Sequence, residues 1–239
     1  MEVHLFIPCF VDQLYPQTGF NMVKVLEKAG CQVVYNPQQT CCGQPAFNAG
    51  FWGEAKEVCT KFVKDFEQAR YIVAPSASCV GFIRNYYKTI FDNSAYSSPA
   101  KKISEKTFEF SDFLVNVLGQ DDFGASFPHM VTYHDSCAAL RECKIKTEPR
   151  RLLSKVRGLT LIEMAENETC CGFGGTFAVK FEPISVAMAQ QKINHAEATP
   201  ADYMVSTDLS CLMHIEGCAR HRDSSIQTIH LADVLASGW

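Results

Sequence analysis

The strongest constraint on the fold is the tripeptide Cys-Cys-Gly, which occurs twice, in TCCGQPAFNAG from Thr40 and in TCCGFGG from Thr169. Each copy follows a short apolar segment. Downstream, the segments YIVAPSASC and YMVSTDLSC each place a cysteine eight residues after a tyrosine, at Cys79 and at Cys211. Both halves of the chain therefore contain the same elements in the same order, which indicates an internal repeat.

Alternating strand and helix patterns predict an α/β fold with two pseudo-symmetric repeats, each a small parallel sheet with flanking helices. The predicted strands are 3–7, 32–35, 71–74, 131–133, 159–162 and 203–206, and the predicted helices are 20–28, 52–68, 149–156 and 183–197. Two similar segments that begin near an aspartate, 111–119 and 231–238, each close a half as an apolar helix. The polar stretch 120–129 predicts a domain boundary, with repeats at 1–120 and 121–239. The stretch 92–102, rich in Ser and Asn, predicts an exposed loop.

The composition excludes several classes of protein. The chain has 239 residues, 47% of them hydrophobic and 20% charged, with a formal charge of −4, which argues against a nucleic-acid partner. No basic leader precedes an apolar core at the start, and no apolar run approaches about 18 residues, so we expect a cytoplasmic protein without a transmembrane segment. Twelve cysteines in such a chain indicate metal binding rather than disulfides.

Eight of the twelve cysteines form two matching sets of four. Every member comes after a predicted strand, and the carboxyl ends of parallel strands share one edge of a sheet, so the thiols of each set should converge. Soft sulfur ligands select iron–sulfur clusters, zinc or Cu(I), and four cysteines per cluster is the usual number. The predicted metal ligands are Cys9, Cys41, Cys42 and Cys79 in the first thiol set and Cys137, Cys170, Cys171 and Cys211 in the second thiol set.

The residues around the two sets have more ordinary explanations beside functional ones. Gly43 and Gly172 let adjacent cysteines face one site, because glycine permits positive φ. A lone cysteine is usually a small buried hydrophobe, which is the interpretation for Cys31, Cys59 and Cys143. Cys218, about two helical turns after Cys211, either reaches the second set or packs in the core.

These motifs resemble the cysteine-rich CCG-domain family, which includes a heterodisulfide reductase subunit, the iron–sulfur subunit of glycolate oxidase and the lactate-utilisation proteins. The segments TCCGQPAFNAG, SASC, TCCGFGGTFAVK and SCLMHIEG make the last group the most similar. The resemblance implies an iron–sulfur electron-transfer subunit with [4Fe–4S] clusters, not catalytic alone, in an L-lactate (2-hydroxy acid) oxidising complex. Its implied partners are a second iron–sulfur protein and a third small subunit.

The sequence departs from the heterodisulfide reductase pattern, in which each repeat ends in Cys-x-x-Cys. Here Phe82 and His214 occupy the final positions. That departure argues against a five-cysteine cluster. His214 is either a substitute ligand or a hydrogen-bonded residue, and the second is the ordinary role of a lone histidine.

Two other functions remain open from the sequence. One is a catalytic thiol–disulfide or heterodisulfide reductase subunit, and the other is a scaffold subunit that binds zinc. No dinucleotide fingerprint, P-loop or nucleophile elbow is present, so no catalytic residue is assigned. His134 and Asp135 either act as acid and base near a cluster or orient the thiolate loop and cap the next helix. The basic residues Arg141, Lys144 and Lys146 either meet a carboxylate or form a solvated helix face.

The two sites are expected to differ. The loop TCCGFGG is rich in backbone amides, and His134, Asp135 and His214 are polar neighbours that can tune a cluster, so the second thiol set is expected to be the principal redox centre. The first thiol set, bordered by Pro8 and by aromatic residues, is expected to be drier and to hold a structural metal such as zinc, or none.

Overall fold

Two parallel sheets of four strands each form the centre of the computed structural model, which describes residues 1–239. The strands of the first sheet are β1 (Glu2–Leu5), β2 (Gln32–Tyr35), β3 (Ile72–Ala74) and β4 (Thr107–Glu109), in the order β2-β1-β3-β4. Those of the second are β5 (Met130–Tyr133), β6 (Thr160–Leu161), β7 (Tyr203–Ser206) and β8 (Gln227–His230), in the order β6-β5-β7-β8. The predicted α/β fold with two repeats is confirmed.

The strand order determines where a site can form. In the first sheet β1 pairs with β2 on one side and with β3 on the other, and in the second sheet β5 pairs in the same way with β6 and β7. In open parallel sheets a crevice opens beyond the carboxyl ends of the strands where the order reverses. Each sheet therefore has such a crevice, and the segments that follow its first three strands border it.

Helices connect the strands and cover the sheets. The first half contains α1 (Cys9–Leu14), α2 (Pro16–Lys28), α3 (Gln44–Asn48), α4 (Trp52–Asp65), α5 (Ala77–Ile90), α6 (Ser97–Glu105), α7 (Phe110–Asp112) and a π-helical turn (Phe113–Val117). The second half contains a π-helical turn (Ala138–Cys143), α8 (Thr147–Leu153), α9 (Thr176–Lys180), α10 (Glu182–Glu197), α11 (Leu209–His221) and α12 (Leu231–Leu235). Helix α2 begins with a proline in its first turn and is followed by Gly30 at φ +80°, the usual asymmetry of helix ends.

The loop predicted at 92–102 is wrong from residue 97 onward, where helix α6 begins. Ala100 and Ile103 of this helix are fully or almost fully buried in the aromatic core of the first half. Two apolar positions three residues apart are too few to give a clear helical pattern, but their burial stabilises the helix through tertiary packing. The edge strands β4 and β8 were also not predicted, because each is short and contains a single apolar residue.

The halves share one hydrophobic core. The largest apolar cluster contains residues from both sheets, including Leu5 and Val73 from the first and Tyr133 and Val205 from the second. The closing helix α12 of the second half packs on α2 of the first, and α7 of the first half packs on α8 of the second. The predicted boundary between residues 120 and 121 stays a prediction. No helix combines the length and the apolar character that crossing a bilayer requires.

Candidate metal centre

The first thiol set lies around the crevice of the first sheet. Cys9 begins α1 directly after β1, Cys41 and Cys42 lie in the loop between β2 and α3, and Cys79 lies in the first turn of α5 after β3. The fold of parallel strands thus brings together cysteines that are far apart in sequence. All four line the same cavity.

Hydrogen bonds join the four thiols of the first set into a chain. The thiols of Cys42 and Cys9 and the amide of Gly43, 3.4 Å away, stabilise the Cys41 thiolate, and they lower the pKa of Cys41 to about 3. The same contacts raise the pKa of Cys9 and of Cys42, whose thiol also contacts Cys79. The four sulfurs are therefore close enough together to bind one metal centre, and one of them is held as a thiolate.

The second thiol set repeats this arrangement. Cys137 precedes the π-helical turn after β5, Cys170 and Cys171 follow β6, and Cys211 lies in the first turn of α11 after β7. Hydrogen bonds from the thiols of Cys137 and Cys171 and from the amide of Gly172, 3.4 Å away, lower the pKa of Cys170 to about 2. The thiol of Cys171 also contacts Cys211. The order of sulfur contacts is the same in both sets.

Glycine is required at both positions that follow a cysteine pair. Gly43 has a φ of +94° and Gly172 a φ of +91°. A Cβ atom at Gly172 would lie 2.5 Å from the Ser185 carbonyl oxygen, and one at Gly43 would lie 2.7 Å from the Cys59 sulfur. The loop that carries each cysteine pair can approach its helix only because no side chain intervenes.

The two thiol sets face each other across one cavity of about 610 Å³, which all eight cysteines line. Helix α1 and the loop after Cys171 meet through Phe10 and Phe173, whose ring centroids are 5.7 Å apart in an edge-to-face contact. Short-range sequence patterns predicted each set but not their proximity, because that depends on how the two sheets pack.

A single carboxylate links the helices that carry Cys79 and Cys211. Asp208 is buried, and its side chain accepts hydrogen bonds from the backbone amides of Ser210 at 3.3 Å and of Ser78 at 2.8 Å. It therefore caps α11 and also binds the N-terminal turn of α5 in the other repeat. The sequence analysis missed this residue, although alignment of the repeats places Ser76 opposite it.

The first thiol set is more exposed to solvent than the second, although it was expected to be the drier of the two. Cys9 is exposed, and Cys41 and Cys79 are partly exposed. In the second set Cys171 is 2% exposed and Cys211 is 6% exposed. The expectation that the first thiol set is the drier one is therefore wrong, because its cysteine at the start of α1 lies at the cavity mouth.

Two polar residues that carry no ion pair lie behind the second thiol set. A ring nitrogen of His134 and the sulfurs of Cys171 and Cys211 all lie within 4.8 Å of one another. The His134 pKa is lowered to about 3 by burial and by the nearby Lys192 ammonium. Burial also lowers the pKa of Lys192 to about 8, although Asp135 and the sulfurs of the second thiol set act to raise it. The sequence analysis missed Lys192, because a lysine in a helix is usually exposed.

The structure gives other candidate residues ordinary roles. Asp135 binds Arg150 through two hydrogen bonds of 2.9 and 2.6 Å and so joins the loop after β5 to α8. His214 shares a hydrogen bond of 3.0 Å with the Ser185 hydroxyl. Cys218 is partly buried and packs against the apolar cluster beneath the second set. The burial predicted for three further cysteines, Cys31, Cys59 and Cys143, is confirmed.

The chain belongs to the cysteine-rich CCG-domain family, whose model matches residues 3–84 and 131–216. It is 43% identical over 239 residues to lactate utilization protein A 2 of Bacillus cereus (strain 03BB102), covering 100% of this chain and 99% of that relative. It is 44% identical over 235 residues to lactate utilization protein A of Halalkalibacterium halodurans, covering 98% of this chain and 96% of the relative.

One solved structure shares the fold. The crystal structure of a hypothetical protein from Helicobacter pylori superposes with a TM-score of 0.62 and 12% sequence identity over 98% of this chain. The chain spans 48% of the length of that protein. At this identity the similarity shows the fold alone.

Proposed function

We propose that this protein is an iron–sulfur electron-transfer subunit of an L-lactate (2-hydroxy acid) oxidising system in the cytoplasm. The observation that carries the proposal is the convergence of two sets of four thiols on one cavity. The substrate is proposed from the names of the relatives, which concern lactate utilization. Twelve free cysteines support a reducing compartment.

The residues of both sets fit a metal centre bound by thiolates. Four sulfurs converge in each set, one of them held as a thiolate, and the buried His134 ring next to the second set has no hydrogen-bond partner on either nitrogen. Cys9, Cys41, Cys42 and Cys79 would hold one [4Fe–4S] cluster, and Cys137, Cys170, Cys171 and Cys211 would hold the other. A bound cluster supplies reversible one-electron transfer.

The chain itself prepares and shields these sites. The amides of Gly43 and Gly172 donate to thiolates, and hydrogen bonds to sulfur are among the means by which a protein sets a cluster potential. The partly exposed first set makes the cavity edge accessible to a redox partner. We therefore propose a second iron–sulfur protein and a third small subunit as partners.

Anaerobic purification with metal and sulfide analysis tests the proposal. We expect iron and inorganic sulfide, visible absorption that bleaches on reduction, and an electron paramagnetic resonance signal from the reduced protein. Zinc without sulfide would instead show a structural scaffold. Exposed thiolates oxidise readily once a cluster is lost, so the protein must be kept from air.

A second assay separates a subunit from a complete enzyme. The purified protein alone should not oxidise lactate with an artificial electron acceptor, because its sequence has no dinucleotide fingerprint, P-loop or nucleophile elbow. Lactate oxidation by this chain alone would show that the subunit proposal is wrong. Reduction of a disulfide substrate by the isolated, reduced protein would favour the reductase alternative.

A further inference from the structure

Lys192 is a buried cation without a counter-ion of its own. The residue is 1% exposed, and its ammonium donates a hydrogen bond to the Glu166 carbonyl oxygen rather than to a carboxylate. Asp135, an acidic side chain that attracts it, is already bound to Arg150. Buried charges are normally paired, because removing a charge from water is costly. The remaining groups that attract this ammonium are sulfurs of the second set, among which Cys170 is the one held as a thiolate.

His134 adds a second unpaired polar group at the same place. Its side chain is completely buried, and neither ring nitrogen has a hydrogen-bond partner. One of its nitrogens lies within 4.8 Å of the sulfurs of Cys171 and Cys211. A neutral imidazole always carries one N–H donor, and leaving a buried donor unpaired destabilises a protein because the donor has lost its hydrogen bond to water. The vacant donor and the unpaired cation therefore both point to an anionic occupant at the second thiol set.

The first repeat has aromatic residues at the equivalent positions. Phe6 lies three residues before Cys9, as His134 lies three residues before Cys137. Phe62 lies seven residues after Ala55, whose carbonyl oxygen Gly43 approaches, as Lys192 lies seven residues after Ser185. The Phe6 and Phe62 rings pack edge to face at a centroid distance of 4.8 Å. The same two positions thus carry an apolar pair behind one thiol set and a cation with an imidazole behind the other.

From this difference we infer that Lys192 and His134 are positioning residues that give the second thiol set a metal centre of higher reduction potential than the centre of the first set. The inference rests on the proposed function and adds which of the two sites has the higher reduction potential. Reduction adds negative charge to a centre, and a nearby buried cation stabilises that charge strongly in a medium of low dielectric constant. An N–H donor to a thiolate ligand acts in the same direction.

The test is a redox titration of the anaerobically prepared protein, followed by electron paramagnetic resonance. Cys42→Ser and Cys171→Ser assign the signals to the first and second set. In the wild-type protein the second centre should reduce at the higher potential. Lys192→Met, which keeps the side-chain length and removes the charge, should shift the second potential downward and leave the first unchanged. His134→Phe, which installs the residue of the first repeat, should cause a smaller downward shift.

Lys64→Met is the matched control, because Lys64 is an exposed lysine on the equivalent helix α4, and it should move neither potential. Iron and sulfide content must be equal in the proteins compared, which separates a lost cluster from a shifted potential. If Lys192→Met does not fold, Lys192→Gln and the wild-type order of potentials still decide the question.

The outcomes distinguish this inference from the proposed function. Iron-containing protein in which the first centre has the higher potential, or in which Lys192→Met leaves the second potential unchanged, overturns the inference alone. Nitrogen hyperfine coupling that disappears in His134→Phe would make His134 a metal ligand and overturn its role as a donor. Wild-type protein that binds no iron would overturn both proposals.

Discussion

The two repeats support their thiol sets in different ways. Behind the first set lies an aromatic core that includes Phe6, Phe62 and Phe66. Behind the second set lie His134 and Lys192, both buried. On the cavity side, by contrast, the cysteines of the first set are more exposed to solvent than those of the second. The two repeats therefore keep their four cysteines in matching places while the surrounding residues differ, and such surroundings can give two otherwise similar sites different properties.

The largest expected effect comes from removing one cysteine of each set. Cys171→Ser should abolish the signal of the second centre and lactate-dependent growth, because serine is a poor ligand for soft metals. Cys42→Ser should leave that signal in place. The measurement is electron paramagnetic resonance of the reduced variants, together with growth on lactate. Equal loss of both by Cys42→Ser, with folding intact by circular dichroism, would contradict the difference between the sets.

A second comparison uses the two loop glycines. Gly172→Ala should destabilise the protein by about 2–4 kcal/mol, because it combines a positive φ with a Cβ against the rigid Ser185 carbonyl. Gly43→Ala should cost about 1–2 kcal/mol, because its closest contact is a sulfur at 2.7 Å and the nearest backbone atom, the Ala55 carbonyl oxygen, lies farther away at 3.2 Å. Urea unfolding of the two variants measures the difference. Equal losses would mean that the two loops are held alike.

The smallest expected effect concerns the residues that end the edge strands. Glu109 caps α7 by accepting from the Ser111 amide at 2.8 Å, and burial raises its pKa to about 8. Its contribution to stability is complete below the unfolded pKa of about 4.5 and is lost as the pH rises through about 8. Glu109→Gln, which cannot ionise, should remove this loss of stability between pH 5 and 8.

The second repeat should respond to pH in the opposite sense at this place. His230 caps α12 through Nδ1, which accepts from the Ala232 amide at 3.1 Å, and burial lowers its pKa. A histidine with a lowered folded pKa loses its contribution to stability as the pH falls below the unfolded value of about 6.5. Thermal unfolding of Glu109→Gln and His230→Gln across this pH range measures both slopes. Slopes of the same sign would contradict the comparison.

The sequence predicted the local structure better than the arrangement of the halves. Short runs of apolar, β-branched and aromatic residues located six of the eight strands, and the Cys-Cys-Gly repeats located both thiol sets. Helix α6 and strands β4 and β8 carry too few apolar residues to give a pattern. Lys192 and the cavity shared by the two sets could not be predicted, because they depend on residues that only the packed structure brings together.

The exchange of closing helices between the halves has a consequence for how such a chain arose. Helix α12 is anchored on α2 through hydrogen bonds from Thr18 and Asn21 to Asp233, of 2.8 and 2.9 Å, while α7 packs on α8 in the opposite direction. A polypeptide with one repeat would leave both its own helix and the receiving surface uncovered. Two identical copies would satisfy each other through a two-fold axis. Joining the two copies in one chain keeps this packing within a single polypeptide and lets the residues around each thiol set differ, as they do at Phe6 and His134.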